Sequence, residues 1–203
     1  MAFLKNCWYV AAHPSEVGRE PLARTILNEK LMMYRGEDGR GHALGNVCPH
    51  RFAFLSKGKL VGDVIECPYH GLRFDTTGAC VHNPHGDGTI PPHARVKSYP
   101  FVERHGLFWI WMGNVARADP EIIPDFSALV QDGFAPVHGY LQIQANYQLL
   151  VDNLMDLTHI EFLHTALSTP DWITKRRSEV TQNPGIVHAR TALRTSKSCR
   201  WIA

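Results

Sequence analysis

Two short loops of this chain each offer one thiolate and one imidazole. The first loop is Cys48-Pro49-His50-Arg51, and the second is Cys67-Pro68-Tyr69-His70-Gly71. Cysteine sulfur and histidine nitrogen are ligands that iron and zinc both accept in proteins. If the two loops fold against each other, they present two sulfur and two nitrogen ligands to one site. The spacing therefore predicts a metal centre.

The mixed ligand set favours a Rieske-type [2Fe–2S] cluster, in which two histidines replace two cysteines on one iron. Neutral imidazoles leave the cluster less negative, so its reduction potential rises to roughly −150 to +300 mV. Two alternatives stay open. A structural zinc site accepts the same ligands, but zinc modules usually group Cys-x₂₋₄-Cys and His-x₃₋₅-His, whereas each loop here mixes the two types. Four unrelated buried side chains are the other alternative, and the matched loops disfavour it.

A second group of candidate ligands lies in residues 146–167, which contain no proline or glycine and are predicted to form one long helix. Apolar residues on almost every face predict that this helix is buried. The ionisable residues Asp156, His159 and His164 lie on the same helix, and burying such groups is costly unless they are paired or bind a metal.

The spacing of these residues decides how they can act together. Asp156 can reach His159, three residues away. On an ideal helix His159 and His164 diverge by about 140°, so a shared metal requires a local break such as a π-bulge. The alternative is a core helix with two hydrogen-bonded histidines and no metal.

The loop motifs, with Arg51 after the first and residues 71–75 after the second, resemble the Rieske domain of Rieske non-heme iron oxygenases. Within that family they are most similar to the oxygenase component of vanillate O-demethylase, over about residues 8–192. The resemblance implies a Rieske [2Fe–2S] cluster held by the four loop residues, Cys48, His50, Cys67 and His70. It also implies a mononuclear Fe(II).

By the same resemblance, His159 and His164 are iron ligands, completed in the family by a distant carboxylate in a site that leaves positions open for O₂. Asp156 resembles the acid that connects the iron to the second Rieske histidine, His70, of a neighbouring subunit. Asn153 matches a polar residue near the iron. Asp156 and Asn153 are thus the candidate catalytic residues.

The implied function is that of an oxygenase component in aromatic compound catabolism. Electrons come from a flavin- or ferredoxin-type, NAD(P)H-dependent reductase, and the reaction is O₂-dependent monooxygenation or O-demethylation of an aromatic substrate. The family assembles as a homotrimer. The alternative is a Rieske electron-transfer protein without a catalytic site of its own, which would have no use for the Asp156-x₂-His159-x₄-His164 motif.

The expected fold class is α+β. A small all-β Rieske domain, residues 8–112, precedes residues 116–203, interpreted as the start of an incomplete helix-grip-like α+β catalytic domain. Only Asp171 and Glu179 follow His164 among acidic residues, and both are interpreted as surface charges. We therefore expect a C-terminally truncated, inactive chain whose residues after about 193 lie out of frame.

Composition excludes few functions. The chain is 44% hydrophobic and 20% charged, as in ordinary globular proteins. Its net charge of +2 gives no reason to expect nucleic acid or an anionic membrane as partner. No apolar run approaches the length of a membrane span. Three cysteines remain beside the two candidate ligands, which argues against a disulfide framework and for a cytoplasmic protein.

Turn residues divide the first half of the chain into short predicted strands, within residues 8–35, 42–47, 60–66 and 95–112. The segment 82–93 is predicted to be a loop whose histidines, His82, His85 and His93, lie on the surface rather than in a second metal site. Residues 138–144 are predicted to form a strand. Lys175-Arg176-Arg177 is interpreted as a solvated charge run, and residues 194–203 show no strand or helix pattern.

Overall fold

The computed structural model describes residues 3–133, 135–164, 176–184, 186–194 and 199–202. The chain divides into two compact units, Met1–Gly139 and Tyr140–Ala203. Among the described residues, no helix is long and apolar enough to cross a membrane.

The first unit is built from short antiparallel strands. They are β1 (Cys7–Ala12), β2 (Leu22–Ile26), β3 (Glu29–Arg35), β4 (Gly41–Gly45), β5 (Lys59–Val61), β6 (Val64–Glu66), β7 (Arg73–Phe74), β8 (Cys80–His82), β9 (Ser98–Tyr99), β10 (Phe101–Arg104) and β11 (Leu107–Met112). They form three sheets, with the strand orders β1-β11-β10, β2-β3-β4-β9 and β5-β6-β7-β8. The predicted strands and the predicted loop after residue 82 are confirmed.

Strand β3 explains where the core lies. Met32 and Tyr34 point into the hydrophobic cluster that contains the loop cysteines. Leu31 and Met33 point into a second hydrophobic cluster on the other face. All four side chains are fully buried, and a strand buried on both faces has a continuous apolar run rather than alternation. The sheet of β3 therefore supports the loop cysteines on one of its faces.

Two-residue turns set the register of the hairpins. Leu27 and Asn28 join β2 to β3 with φ angles of 49° and 64°, the left-handed backbone that tight hairpins require at both turn positions. Strand β3 consequently begins at Glu29. Gly62 and Asp63 join β5 to β6.

The aromatic strand β11 belongs to the core. Phe108, Trp109 and Trp111 are at most 4% exposed. Trp109 Nε1 donates to the carbonyl of Arg104 at 3.1 Å, and Trp111 Nε1 donates to that of Asn114 at 2.8 Å. Their polar atoms are thus paired while their rings fill the core.

The segment after β11 packs against the strands of the first unit, to which it belongs. Trp8 Nε1 donates to the carbonyl of Asp119 at 2.8 Å. Arg104 pairs with Glu121 through two nitrogen–oxygen contacts of 3.1 and 3.2 Å, and Ile123 is buried. The strand predicted over residues 138–144 is wrong, because this segment has no ladder partner in the described structure.

The second unit contains α1 (Tyr147–Met155), a 3-10 turn (Leu157–His159), α2 (Ile160–Leu163), β12 (Arg176–Asn183), β13 (Ile186–Arg194) and β14 (Cys199–Ile202). Its strands form one antiparallel sheet, β12-β13-β14. The single helix predicted over residues 146–167 is wrong. It breaks at Asp156, whose φ of −105° and ψ of 96° are extended, and residues 165–167 lie outside the described residues.

The burial predicted for the first part of this helix is also wrong. The leucines of α1 are exposed, 62% for Leu149 and Leu154, because the described elements of the unit do not pack an apolar face against the helix. A strand lies near the end of the chain, where the sequence shows no strand or helix pattern: β14 pairs with β13 from Thr191↔Ile202 to Arg194↔Cys199. Arg176 and Arg177 open strand β12, while Lys175 lies outside the described residues.

The β7–β8 turn provides a stability prediction. Gly78 has a φ of +81°, and a Cβ there would overlap the Val96 carbonyl oxygen. Gly39 has nearly the same φ, +80°, with nothing within 4 Å of its Cβ position. Gly39→Ala should cost only the left-handed backbone penalty, about 1–2 kcal/mol. Gly78→Ala should lower the free energy of unfolding by about 2–5 kcal/mol, since overpacking adds to that penalty.

Denaturant unfolding of both variants measures these two costs. Equal losses for Gly78→Ala and Gly39→Ala would show that the backbone at Val96 moves aside, contrary to this expectation.

Candidate metal centres

The two ligand loops have the same backbone hydrogen bonds. In each, the cysteine N–H donates to the carbonyl five residues later, and the cysteine carbonyl accepts from the N–H four residues later. The distances are 2.9 and 3.0 Å in the first loop and 2.8 and 3.0 Å in the second. The residue four positions after each cysteine has left-handed backbone, with φ of 59° at Phe52 and 72° at Gly71. The two loops thus have the same turn conformation.

The ligand side chains form a sulfur pair and a nitrogen pair. Cys48 and Cys67 are 1% and 2% exposed, and the Cys67 thiol lies close enough to contribute to the raised pKa of Cys48. The ring centroids of His50 and His70 are 4.6 Å apart, and His50 is exposed. A Rieske cluster takes its two thiolates on one iron and its two imidazoles on the other. The donor set and its pairing therefore fit that cluster.

The four loop residues do not form a site for a single metal ion. In the part of the chain that the structure describes, no group of three or more His, Cys, Asp and Glu could hold one metal ion. The fit of the four loop residues thus rests on their arrangement as two pairs.

The surroundings of Cys48 affect the pKa of its thiol in two opposite directions. Burial raises its pKa to about 11, and the backbone N–H groups of His50 and Arg51 oppose that rise by donating to the sulfur. Donors directed at a sulfur favour its thiolate form. Metal ligation requires the thiolate, so metal binding releases protons here.

Asn46 anchors the first loop and was not found from the sequence. It is 5% exposed. Its N–H donates to the carbonyl of Lys30 on β3, and its own carbonyl accepts from the N–H of Leu55, both at 2.9 Å. Its Oδ1 accepts from the N–H of Ser56 at 2.7 Å. An amide side chain two residues before a ligand, at the end of a strand, is the signal that could have identified it.

Charge pairs flank the second loop. Lys59, Glu66 and Arg73 lie directly opposite one another on β5, β6 and β7. Glu66 contacts Arg73 at 2.8 Å and Lys59 at 3.2 Å. The pKa of Glu66 is lowered, mainly by its hydrogen bond with Arg73 and next by that with Lys59. These contacts join the strands that lead into and out of the loop.

The loop histidines are exposed, as predicted, but one of them reaches the cluster site. His85 Nε2 donates to the carbonyl oxygen of His70 at 2.8 Å. A groove of about 550 Å³ lies beside the nitrogen pair, and residues that line it include His50, His70, His85 and His93.

The second candidate site brings its two histidines together. The ring centroids of His159 and His164 are 5.4 Å apart. The required break is present, but it lies at Asp156 and at His164 rather than between the histidines. His164 follows the last residue of α2 with a φ of −115° and a ψ of 51°, so its side chain is not bound to helical spacing.

Hydrogen bonds at this break orient His159. Its Nδ1 donates to the main-chain oxygen of Asp156 at 2.7 Å, where the carboxylate was the expected acceptor. A neutral imidazole protonated at Nδ1 keeps Nε2 for a metal. The Asp156 carboxylate instead accepts from the N–H and hydroxyl of Thr158, at 2.9 and 2.6 Å. Asp156 therefore caps the turn that carries His159.

Two of the three remaining candidates lie among the described residues. Asn153 is exposed in the last turn of α1, and no hydrogen bond joins it to either histidine among the described residues. Glu179 is exposed on β12, opposite Arg190, as expected for a surface charge. Asp171 lies outside the described residues.

Thr158 provides a prediction for metal affinity. Thr158→Val keeps the branched shape but removes the hydroxyl that fixes the Asp156 carboxylate, so the turn holding His159 should loosen. Loss of such outer partners typically costs 10–100-fold in metal affinity. We expect an Fe(II) affinity at least about 10-fold weaker in an anaerobic titration. Thr158→Ser should retain wild-type affinity, and equal affinity in all three proteins would contradict the capping role.

Comparison with known proteins decides the family. Residues 7–100 match the Rieske [2Fe–2S] domain, and residues 143–202 match the vanillate O-demethylase oxygenase C-terminal domain. The chain belongs to the Rieske oxygenases. The second match includes residues 194–202, so the expectation of an out-of-frame segment there is wrong.

Curated relatives of this Rieske oxygenase chain span a range of identities. The dicamba O-demethylase oxygenase component of Stenotrophomonas maltophilia is 50% identical over 189 residues, covering 93% of this chain and 56% of that protein. The toluene-4-sulfonate monooxygenase system iron-sulfur subunit of Comamonas testosteroni is 49% identical, covering 82% and 48%. A vanillate O-demethylase oxygenase subunit of a Pseudomonas species is 39% identical, covering 81% and 46%.

The fold of the chain is also similar to that of solved structures. Dicamba monooxygenase bound to dicamba superposes with a TM-score of 0.87 at 48% identity, covering 95% of this chain and 57% of that one. The expected α+β class is confirmed by this likeness. The chain spans about half the length of the curated relatives it matches.

Proposed function

We propose that this chain forms the electron-accepting and iron-binding part of an oxygenase component that acts on an aromatic substrate. The observation that carries the proposal is the presence of both centres in one chain: a duplicated Cys/His turn with paired sulfurs and rings, and a second pair of histidine rings at a helix break. An electron carrier needs only the first. Two of the relatives are named for O-demethylation.

The proposed reaction is O-demethylation of a methoxy-substituted aromatic acid. Two electrons and two protons reduce O₂, so that one oxygen atom enters the methyl carbon and the other leaves as water. The hydroxylated methyl group departs as formaldehyde and leaves a phenol. When bound, the cluster supplies one-electron storage and the iron supplies O₂ activation.

The chain's own residues position these groups. Cys48, His50, Cys67 and His70 would hold the cluster, His159 and His164 would hold the iron, and a carboxylate would complete that site. Asp156 would connect the iron site to His70 of a neighbouring copy, and Asn153 would lie near the iron. We assign residues 8–112 to the Rieske domain and residues 116–203 to the first part of the catalytic domain.

The proposed partners follow from the same assignment. They are a flavin- or ferredoxin-type reductase that takes electrons from NAD(P)H, O₂ itself, and two further copies of the chain in a homotrimer. A cytoplasmic location is proposed as well. Cys7, Cys48, Cys67 and Cys80 are all unpaired, as expected in a reducing compartment.

Reoxidation of the reduced cluster tests this proposal. The cluster is reduced anaerobically and then mixed with O₂, with Fe(II) or redox-inactive Zn(II) in the second site and with or without a methoxybenzoate. An oxygenase component should reoxidise faster with Fe(II) and substrate, with formaldehyde released. Equal rates with Fe(II) and Zn(II) would instead identify an electron carrier.

A further inference from the structure

A compact loop lies beside the second cluster loop. Asn83 Nδ2 donates to the carbonyl of Thr89 at 2.7 Å, and Asn83 Oδ1 accepts from the N–H of His85 at 3.1 Å. The N–H of Gly88 donates to the carbonyl of His85 at 3.0 Å. These bonds close residues 83–89 on themselves, so the loop can hold a neighbouring group in place.

This loop contacts the second cluster loop at two points. The His85 ring donates from Nε2 to the carbonyl of His70 at 2.8 Å, and the two rings meet edge to face with centroids 6.1 Å apart. The Pro84 ring packs over Gly71, where a Cβ would come within 3.1 Å of Pro84 Cγ. Both contacts fall on the ligand His70 and the residue after it.

The two cluster loops differ in this respect. Their backbone hydrogen bonds are the same, yet among the described residues no side chain donates to the carbonyl of His50 as His85 does to that of His70. The additional contact therefore distinguishes one imidazole of the pair from the other.

We propose that His85 is a positioning residue for His70. The hydrogen bond to its carbonyl restrains the backbone of His70, and the edge-to-face contact with the His85 ring restrains its side chain. Contacts outside the ligands themselves orient those ligands at metal sites. This inference rests on the proposed function, in which His70 is the ligand nearest the neighbouring iron site. His85 thus holds the imidazole through which the electron leaves.

The test uses the cluster-loaded protein and three variants. His85→Ala removes the donor. His85→Gln supplies an amide N–H of similar reach and should rescue it. His82→Ala removes a neighbouring exposed histidine that makes no side-chain hydrogen bond to the cluster loops among the described residues. Iron and sulfide content establishes that each variant carries its cluster.

The deciding readout is pulsed electron paramagnetic resonance of the reduced cluster, which detects the nitrogens bound to iron. In His85→Ala, one of the two histidine nitrogen couplings should shift or broaden while the other stays unchanged, and His85→Gln and His82→Ala should match the wild type. Iron-dependent reoxidation should slow about 10-fold in His85→Ala alone.

Unchanged nitrogen couplings in His85→Ala would overturn the proposal, and so would the same change in His82→Ala. Loss of the cluster in both His85→Ala and His85→Gln would also overturn it, because the role would then be structural. The spectroscopic result does not depend on oxygenase activity. If wild-type reoxidation is independent of iron, the proposed function fails while the positioning of His70 is still measured.

Discussion

Cys48→Ser and Cys67→Ser are each expected to abolish the iron–sulfur cluster. Both thiols are buried in the same hydrophobic cluster, and each supplies half of the candidate sulfur pair. A serine hydroxyl is a far poorer ligand for iron than a thiolate, and a buried hydroxyl without its metal is also an unsatisfied polar group. Iron and acid-labile sulfide should fall from two of each per chain to near zero, together with the visible absorbance.

Cys80→Ser provides a matched control. Cys80 is buried in the same hydrophobic cluster as the two ligands, and its thiol donates to the carbonyl of His82 at 3.5 Å. A serine hydroxyl can make the same bond, so this variant should keep its full cluster content. Equal loss in all three variants would mean that serine damages this core in general, and the ligand assignment would lose its support.

Asp156→Asn should retain both metal centres and lose electron transfer between them. Asparagine caps helical turns as well as aspartate does, so its oxygen can still accept from Thr158 and the turn holding His159 should persist. The negative charge, which should hold a partner imidazole at a defined position, is removed. Misplacement of a reacting group by about 1 Å can cost on the order of 100-fold in rate. We expect iron-dependent cluster reoxidation to slow by that order.

Asp152→Asn controls for the loss of one charge from the same segment. Asp152 is an exposed residue of α1, and its carbonyl accepts from the N–H of Asp156 at 3.0 Å, a bond that the substitution leaves intact. Its reoxidation rate should match the wild type. A wild-type rate in Asp156→Asn, with the iron site filled, would exclude the connecting role.

The candidate cluster ligands could be selected from the sequence because their signal is local. Each loop carries its cysteine and histidine within three residues, and short strands between turn residues predict a rigid support. The position of strand β11 in the core can also be inferred from the sequence, since three large aromatic residues in a run of six are most simply buried. Predicting that His159 and His164 come together required a further assumption. Their spacing places them on different faces of an ideal helix, so a break in the helix had to be inferred.

The contacts that orient the ligands depend on tertiary structure and could not be predicted. His85 reaches His70 only because the loop after β8 folds back across the second cluster loop. The prediction that α1 is buried was wrong for a related reason. An apolar sequence indicates that a helix has a surface to bury, but it does not identify the element that packs against that surface. Strand β14 has little pattern of its own and is defined by its pairing with β13.

The most direct test of the central claim is pulsed electron paramagnetic resonance on the reduced protein with ¹⁵N-labelled histidine. A cluster bound by Cys48, His50, Cys67 and His70 must show two strongly coupled histidine nitrogens, and His50→Cys should leave one. Two iron and two sulfide per chain without any nitrogen coupling, or stoichiometric zinc without sulfide, would contradict the assignment.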